Sequence, residues 1–467
     1  MRNTIIPRSV FRQIWRLLLP QMRIKFFFLV VIAAACFASC KVQQPVSRQT
    51  VSDSLQQKTG FVISNKSTPG VTALPPSVSA TDGISEDEAV SIALWNNPQF
   101  QADLATISVA QADVIEAGIV SNPLLRYLAP AGGLQASGYI NFAFDFLFQR
   151  PRRIAAAKAD AERAGETVML KGYSLIRDVQ NAYTDLLFAK RRVEVLGQNA
   201  QVRQQMAELA NSRLRNGDIS ELEAVTFRAD SASAKDELVK ATLDTLLRKN
   251  TLNVLLGYSP DTTIVLQPTT FYSDTQHIVQ DNYLQLVYDY QPELKAAAMN
   301  IHAIGKRLGW ERSRIISFIT TLNFQHVADK GGSKWLPNAA NPGVQMEIPV
   351  LNRNQGRIAR AKADLEVATA QYYAIRQRTA LDAATAYDRY EQAWQSYQIW
   401  YGATIPSLQE AVRLSQSSYR NGDISYLPVL EAQRQLLNAE LRQAEIQADI
   451  RRAVSALNFS LGKKWNN

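Results

Sequence analysis

The chain contains an internal duplication, which limits its possible folds more than any other feature of the sequence. The hexapeptide RNGDIS occurs at residues 215–220 and again at 420–425, and RIAAAKAD at 153–160 matches RIARAKAD at 357–364. The matches follow in the same order at nearly the same spacing. Such self-similarity indicates two copies of one supersecondary unit that pack against each other.

Each copy has helical periodicity over most of its length, so we predict a mostly α-helical protein with a small β part. Each should contain a first helix (about 86–120 and 282–315), a long helix (152–214 and 356–418) ending at RNGDIS, and a return helix (220–257 and 425–462). Residues of the first long helix alternate in steps of four and three, the heptad seam of a coiled coil; they are Val168, Gly172, Leu175, Val179, Ala182, Leu186, Ala189, Val193 and Leu196. Pro406 should kink the second long helix.

Between the first and long helices, each copy has residues that alternate with the period of a β-strand. The strongest such segment is GYINFAFDFLFQ at 138–149. One of its faces is aromatic and comprises Phe142, Phe144, Phe146 and Phe148. The opposite face is small or polar and includes Asn141 and Asp145.

Three further segments complete a prediction of four strands per chain: 124–128, 318–325 and 344–350, the last with Glu347 opposite its apolar residues. These lengths are close to the ~9–11 residues of a tilted transmembrane strand; a soluble sheet packed on a core is the alternative. Four strands cannot close a barrel, and an open sheet edge is not stable in lipid. Membrane insertion would therefore require a dimer, trimer or tetramer.

The amino terminus has the pattern of a lipoprotein export signal. Arg23 and Lys25 precede an apolar run that is too short to span a bilayer as a helix. FASC at 37–40 then resembles a lipobox, which places a lipid on Cys40; a simple secretory signal is the alternative. Translation from either Met1 or Met22 fits this pattern.

The stretch that follows the cysteine is rich in Ser, Thr, Gln and Pro and is typical of a tether. The predicted parts of the chain are a signal peptide (1–39), a lipid anchor and tether (40–84), a first repeat (85–258), a surface connection (259–281) and a second repeat (282–465).

Charge and composition disfavour several classes of function. The net charge of +9 depends on six basic residues in 1–39. Without them the chain has 45 basic and 42 acidic residues and is nearly neutral, so we expect no nucleic-acid partner. Two cysteines and three scattered histidines do not form a metal-ligand motif. The sequence also has no phosphate-loop, zinc-protease or nucleophile-elbow motif. We therefore expect no enzyme, no cofactor and no resident metal.

Together these features resemble the TolC-like family of outer-membrane efflux proteins. The resemblance covers about residues 84–465 and rests on the repeat, the NGDIS turns, the NP and QP dipeptides after the first helices, and the lipobox. ISEDEAVSIALWNNPQF, SNPLL and RIAxAKAD are most similar to the lipoprotein subgroup associated with cobalt-zinc-cadmium resistance.

The resemblance implies a lipid-anchored homotrimer in the outer membrane of a Gram-negative bacterium. Three chains would form a twelve-stranded barrel that continues as a periplasmic α-helical tunnel. The assembly would be a passive duct for small molecules or metal ions. Its partners would be a periplasmic adaptor (a membrane fusion protein) and an inner-membrane pump of the resistance-nodulation-division type.

The resemblance also implies residue roles. The turns would be adaptor-docking periplasmic tips; they comprise Asn216, Gly217, Asp218, Ile219, Ser220, Asn421, Gly422, Asp423, Ile424 and Ser425. Asn-Gly can end a helix and Asp or Ser can begin one, so a purely structural role is the alternative. The family's two aperture carboxylates fall on Pro428 and Glu431, so only Glu431 is acidic here. Asn141, Asp145 and Glu347 would line the pore, and the four phenylalanines would face lipid.

A periplasmic coiled-coil lipoprotein without a pore, acting as a scaffold or adaptor, is the competing hypothesis. It would share the anchor and the helices. It would not require alternating apolar strands at the same point of both copies, so the strands favour the duct. The sequence leaves open the cargo, the identity of the pump and adaptor, and the resting state of the aperture.

Overall fold

The computed structural model describes residues 45–64, 72–76, 78–79, 83–128, 135–143, 146–267, 283–315, 317–329, 332–335 and 341–464. The predicted signal peptide, Cys40, Phe144 and Asp145 lie outside these residues.

Both copies have the predicted order of elements. A short helix, α1 (Arg48–Thr59), precedes them. The first copy consists of α2 (Glu86–Asn96), α3 (Pro98–Gly118), β1 (Leu124–Leu128), β2 (Gln135–Ala143), α4 (Phe146–Asn216) and α5 (Glu221–Leu255). The second consists of α6 (Tyr283–Tyr290), α7 (Pro292–Ser313), β3 (Phe318–Asp329), β4 (Gly332–Trp335), β5 (Asn341–Met346), α8 (Gln355–Ile399), a π-helical turn (Trp400–Thr404), α9 (Ile405–Asn421) and α10 (Tyr426–Leu461).

The coiled-coil prediction for the first long helix is confirmed. Of the nine predicted seam residues of α4, Val193 is half-buried and the others are buried. Five of them, Val168, Leu175, Val179, Ala182 and Leu186, pack with residues of α1, α2 and α3 in a core that includes Leu55, Leu94 and Leu104. Farther along α4, Val193 and Leu196 pack with Ala241 of α5 and Leu437 of α10. The second long helix is interrupted by the π-helical turn. Pro406, whose nitrogen has no proton to donate, is the second residue of α9, which follows this turn.

Asn97 and Gln291 break the first helix of each copy and begin its second part. Asn97 Oδ1 accepts a hydrogen bond from the Phe100 N–H at 2.9 Å, and Gln291 Oε1 accepts one from the Leu294 N–H at 2.8 Å. Proline follows each of them at the first helical position, where no N–H is needed. The NP and QP dipeptides are therefore helix starts, and their capping residues Asn97 and Gln291 are buried.

A glycine at the end of each return helix contacts the break in its own copy. Gly257 (φ +77°) and Gly462 (φ +63°) have left-handed backbone conformations. A Cβ atom on Gly257 would lie 2.4 Å from the carbonyl oxygen of Asn96, and one on Gly462 would lie 2.4 Å from that of Tyr290. Only glycine permits both this conformation and this approach.

The described strands form one antiparallel sheet in the order β1–β2–β3, with β4 and β5 both on the far edge of β3. β5 pairs with Phe318–Asn323 and β4 with His326–Asp329, so they share a fourth position. The predicted four strands are thus present as four positions, of which the last is divided.

The sheet has two chemically different faces, because cross-strand partners lie on the same face. The register places one mainly polar set together, comprising Arg126, Tyr139, Asn141, Thr321, Asn323 and Gln345. The mainly apolar set on the other face comprises Leu125, Tyr127, Ile140, Phe142, Phe318, Leu322, Val344 and Met346. Asn141 and Phe142 are therefore on opposite faces, as predicted.

The strand prediction is wrong beyond Ala143 and Met346. Phe146 and Phe148 belong to α4 and do not extend the aromatic face, and Glu347 is exposed one residue past β5. Ala143 pairs with Ile319 and Met346 pairs with Phe318, where β3 begins. Among the described residues no strand extends the ladder past these pairs, and from Phe146 the backbone forms its hydrogen bonds within α4.

Residues 41–84 are not uniformly an aperiodic tether. Helix α1 begins at a Ser47–Thr50 capping box, ends at Gly60, and buries Val51 and Leu55. It packs on α4 at Gly165 and Gly172, where added Cβ atoms would lie 2.8 Å from Val46 and 3.7 Å from Leu55. The few apolar residues of α1 give a weak periodic signal, and tertiary packing stabilises the helix. Leu266, in the predicted surface connection, is also buried.

The chain divides into two compact units. One is made up mainly of Ala110–Ala161 and Ala303–Lys362 and contains the sheet; the other comprises Val46–Val109, Glu162–His302 and Ala363–Asn467 and contains the helical core. Among the described residues, no helix combines the length and the apolar content needed to cross a bilayer.

Replacing Gly257 or Gly462 with alanine should destabilise the fold by about 2–3 kcal/mol, because the new methyl group meets a carbonyl oxygen in a strained backbone conformation. Gly305→Ala in α7 is the control, since its Cβ would meet nothing within 4 Å. It should be neutral or stabilising by up to ~1 kcal/mol. Urea unfolding followed by circular dichroism measures both, and equal midpoints for the three variants would contradict the argument.

Candidate functional site

The first RNGDIS segment forms a tight turn between α4 and α5. Gly217 has a φ of +79°, its N–H donates to the Leu214 carbonyl at 3.1 Å, and the Asp218 N–H donates to the Arg213 carbonyl at 2.9 Å. This pair of bonds is a Schellman motif, which satisfies the last carbonyl groups of a helix.

The second segment repeats the same geometry between α9 and α10. Gly422 has a φ of +85°, and the N–H groups of Gly422 and Asp423 donate to the carbonyls of Tyr419 and Ser418 at 3.1 and 2.9 Å. In both turns the asparagine, glycine, aspartate and serine are exposed and the isoleucine is half-buried. The predicted residues therefore form two equivalent turns.

The isoleucines anchor both turns on one apolar cluster. Ile219 and Ile424 pack against residues from all four adjoining helices: Ala207, Ala210, Phe227, Tyr419, Tyr426 and Val429. The rings of Phe227 and Tyr426 stack on each other. The cluster joins the α4–α5 hairpin to the α9–α10 hairpin next to their ends.

Polar contacts that were not anticipated from the sequence reinforce this junction. The Arg213 guanidinium lies 4.5 Å from the centre of the Tyr419 ring and donates to the Tyr419 carbonyl at 3.4 Å. Arg203 and Asp230 form an ion pair whose side chains are only 10% and 17% exposed. Burial raises the pKa of Tyr426, and the charge of Asp230 raises it further, so this hydroxyl remains protonated.

The two turns differ in how they start the next helix. Ser220 Oγ accepts a hydrogen bond from the Glu223 N–H at 3.2 Å. Ser425 holds the equivalent position but makes no side-chain cap bond. Pro428 lies three residues after Ser425, where Glu223 lies after Ser220, and it has no N–H to donate to the serine. A serine cap bond is therefore present at the start of α5 and absent at the start of α10.

Glu431 lies in α10, less than two turns from the second loop, with its side chain 47% exposed. Its carboxylate is 3.0 Å from Arg434 and accepts a hydrogen bond from Gln435 at 2.9 Å. The hydrogen bond from Gln435 lowers the pKa of Glu431 most, and the hydrogen bond from Arg434 lowers it further. This carboxylate therefore stays ionised to a lower pH than an unperturbed glutamate would.

Sequence reasoning missed two exposed leucines beside the turns. Leu222 is 78% exposed and Leu427 is 71% exposed, each at the second position of its return helix. They are equivalent residues of the repeat, so aligning the two copies could have identified them. Each turn therefore has one exposed apolar side chain beside its polar residues.

The fold is that of outer-membrane channel proteins. The structure of the outer-membrane channel OprN has a TM-score of 0.70 with 18% identity, covering 87% of this chain and 100% of that one. The outer membrane protein VceC of Vibrio cholerae has a TM-score of 0.67 with 20% identity, covering 81% of this chain and 96% of that one.

The chain belongs to the outer membrane efflux protein family, whose model matches residues 89–258 and 284–463. These two matches coincide with the two copies of the repeat and confirm the resemblance and the outer-membrane location. The cobalt-zinc-cadmium resistance protein CzcC of Cupriavidus metallidurans is 23% identical over 380 residues, which cover 81% of this chain and 90% of that protein. The function of the chain is thus efflux at the outer membrane.

Ser220→Ala should destabilise the start of α5 by about 1 kcal/mol, because it removes an N-cap hydrogen bond. Ser425→Ala is the matched control and should have almost no effect, since that bond is absent. Hydrogen exchange of peptides covering the first turns of α5 and α10 measures both changes. Comparable loss of protection in the two variants would show that the Ser220 cap hydrogen bond is not what stabilises the start of α5.

Proposed function

We propose that this chain is the outer-membrane duct of a tripartite efflux system. A periplasmic adaptor would connect it to an inner-membrane pump of the resistance-nodulation-division type, which supplies the energy. The observation that carries this proposal is the pair of equivalent exposed turns at the ends of both helical hairpins in a member of the outer membrane efflux protein family.

Apolar surface on the helices supports assembly into a homotrimer. The exposed apolar residues of α5 follow a helical stripe that comprises Val239, Leu243, Leu246, Leu247 and Val254. A second set lies on α8 and α9 and comprises Val367, Leu381 and Leu414. Packing of one set on the other set of the next copy is a heterologous contact, and such contacts close into rings when the rotation allows.

The edges of the sheet support the same assembly. One edge is β1 and the other is shared by β4 and β5. Unpaired strand edges are unfavourable in lipid, so β1 of one copy would pair with the far edge of the next. Three copies with four strand positions each would close a twelve-stranded barrel, with Phe142 on the lipid face and Asn141 on the lumen face. Asp145 and Glu347 remain predicted pore-lining residues, and Cys40 remains the predicted lipid attachment site.

The turns would be the docking surface for the adaptor. Their exposed residues are polar, and each lies beside an exposed leucine, Leu222 or Leu427. The shared apolar cluster under Ile219 and Ile424 holds both turns in a fixed relation. A helical partner would contact the leucines with apolar side chains and the turns with polar ones.

The cargo would be metal ions or small molecules, with metal ions favoured by the likeness to a cobalt-zinc-cadmium resistance protein. A wide duct does not need to coordinate its cargo. Glu431 would supply the selectivity, because three copies of one carboxylate form an acidic ring that favours cations.

Single-channel recording tests this proposal directly. Purified protein in a planar bilayer should give discrete, long-lived current steps and should migrate as a trimer. An inserted trimer without current would point to a closed aperture that opens on adaptor binding, and adding an adaptor would then have to produce current. A monomer that never inserts would contradict the duct and favour the pore-free scaffold or adaptor.

Glu431→Ala should weaken the preference for cations, measured as a smaller reversal potential in asymmetric salt. Glu445→Ala is the control, since Glu445 is an exposed carboxylate on the same helix, paired with Arg442 at 2.5 Å. Because the pKa of Glu431 is lowered, the cation preference of the unmodified channel should be lost at a lower pH than an unperturbed glutamate would give. An unchanged reversal potential in Glu431→Ala would rule out this role.

A further inference from the structure

The segments that join the sheet to the long helices carry concentrated positive charge. Residues 146–159 contain Arg150, Arg152, Arg153 and Lys158, and residues 348–363 contain Arg353, Arg357, Arg360 and Lys362. Neither segment contains an acidic residue. The two segments are equivalent parts of the repeat, and each has four basic residues, of which Arg153 matches Arg357 and Lys158 matches Lys362.

Part of this charge has a structural role. Arg150 Nε donates to the Gly118 carbonyl at 2.7 Å, and Arg153 donates to the carbonyls of Ala117 and Ile119 at 2.8 and 2.6 Å. Cations are favoured at a helix carboxyl end such as that of α3. In the second copy Asn354 takes the place of Arg150 and donates to the Glu311 carbonyl at 2.8 Å.

Four other arginines have no such role. Arg152, Arg353, Arg357 and Arg360 are exposed, and their guanidinium groups have no ion pair or hydrogen bond within the described part of the chain. Helix capping therefore does not explain them, and their hydrogen-bond donors are free for a ligand.

Exposed apolar side chains adjoin these arginines on the sheet side of each segment. Leu147 and Phe148 are more than half exposed shortly before Arg152. Ile348, Val350 and Leu351 precede Arg353 and are more exposed still, with Leu351 at 89%. The chain thus changes from exposed apolar to exposed basic residues at the same point of both copies. This is the order of acyl chains and headgroups at a bilayer surface.

We propose that these arginines bind the headgroups of anionic phospholipids in the membrane leaflet nearest the long helices. Each guanidinium can donate two hydrogen bonds to one phosphate, and the adjacent apolar side chains would contact the acyl chains. An acidic protein surface would match the charge but not the exposed apolar residues beside it. This inference rests on the proposed function, because it requires the sheet to lie in a membrane.

The test uses the full-length protein in detergent and measures binding of phosphatidylglycerol, with phosphatidylcholine as reference, by native mass spectrometry. The unmodified protein should prefer phosphatidylglycerol. In the double variant Arg152→Gln/Arg353→Gln this preference should fall by ~25-fold. Each cation removed from an anionic surface weakens binding about fivefold, and the variant removes two. Arg152→Lys/Arg353→Lys keeps both charges and should retain most of the preference.

The matched control is Arg215→Gln/Arg420→Gln, which removes two exposed arginines from equivalent positions next to the turns. It should bind phosphatidylglycerol like the unmodified protein, and all variants should unfold at the same urea concentration. The proposal is overturned if the unmodified protein shows no preference, or if both glutamine variants lose it equally.

Insertion into phosphatidylcholine vesicles separates this inference from the proposed function. A protein that does not insert contradicts the duct itself. A protein that inserts and conducts but shows no preference for phosphatidylglycerol contradicts only the lipid site. A change in ion selectivity in Arg152→Gln/Arg353→Gln with unchanged lipid binding would place these arginines at the lumen and also overturn the proposal.

Discussion

Burial of the α4 seam is the interaction on which the rest of the structure depends. This helix has 71 residues, and its apolar seam from Val168 to Leu196 is stable only when it is covered. Helices α1, α2 and α3 and the end of α5 cover it with residues such as Leu55, Leu94 and Leu256. Small residues in and beside the seam let these helices approach closely. Once this core forms, the positions of the helix breaks and of the turns follow from the lengths of the helices.

The duplication preserves the contacts that set helix ends and varies the chemistry around them. Gly257 and Gly462 make the same close approach, and Asn97 and Gln291 make the same cap. Elsewhere the copies diverge: Pro428 removes the cap bond of Ser425, and a π-helical turn interrupts only the second long helix. Equivalent hairpins therefore reach the same apolar cluster with different helix starts.

The functional surfaces lie where the repeated helices end. At one end, the two turns project polar groups and a leucine each from a packed base of aromatic residues. At the other, the sheet presents one mainly polar and one mainly apolar face, and basic segments follow it in both copies.

The sequence by itself determined the duplication, the helices, the two turns and the family, because periodicity, Asn-Gly and X-Pro dipeptides act over a few residues and leave local signals. It also predicted the alternating faces around Asn141 and Phe142. It misplaced Phe146, Phe148 and Glu347. The ends of β2 and β5 are set by the start of their antiparallel partner β3 at Phe318, which is distant from β2 in the sequence. It missed α1 and the Arg203–Asp230 pair for the same reason. Only the tertiary structure brings together the distant residues whose burial and pairing decide these features.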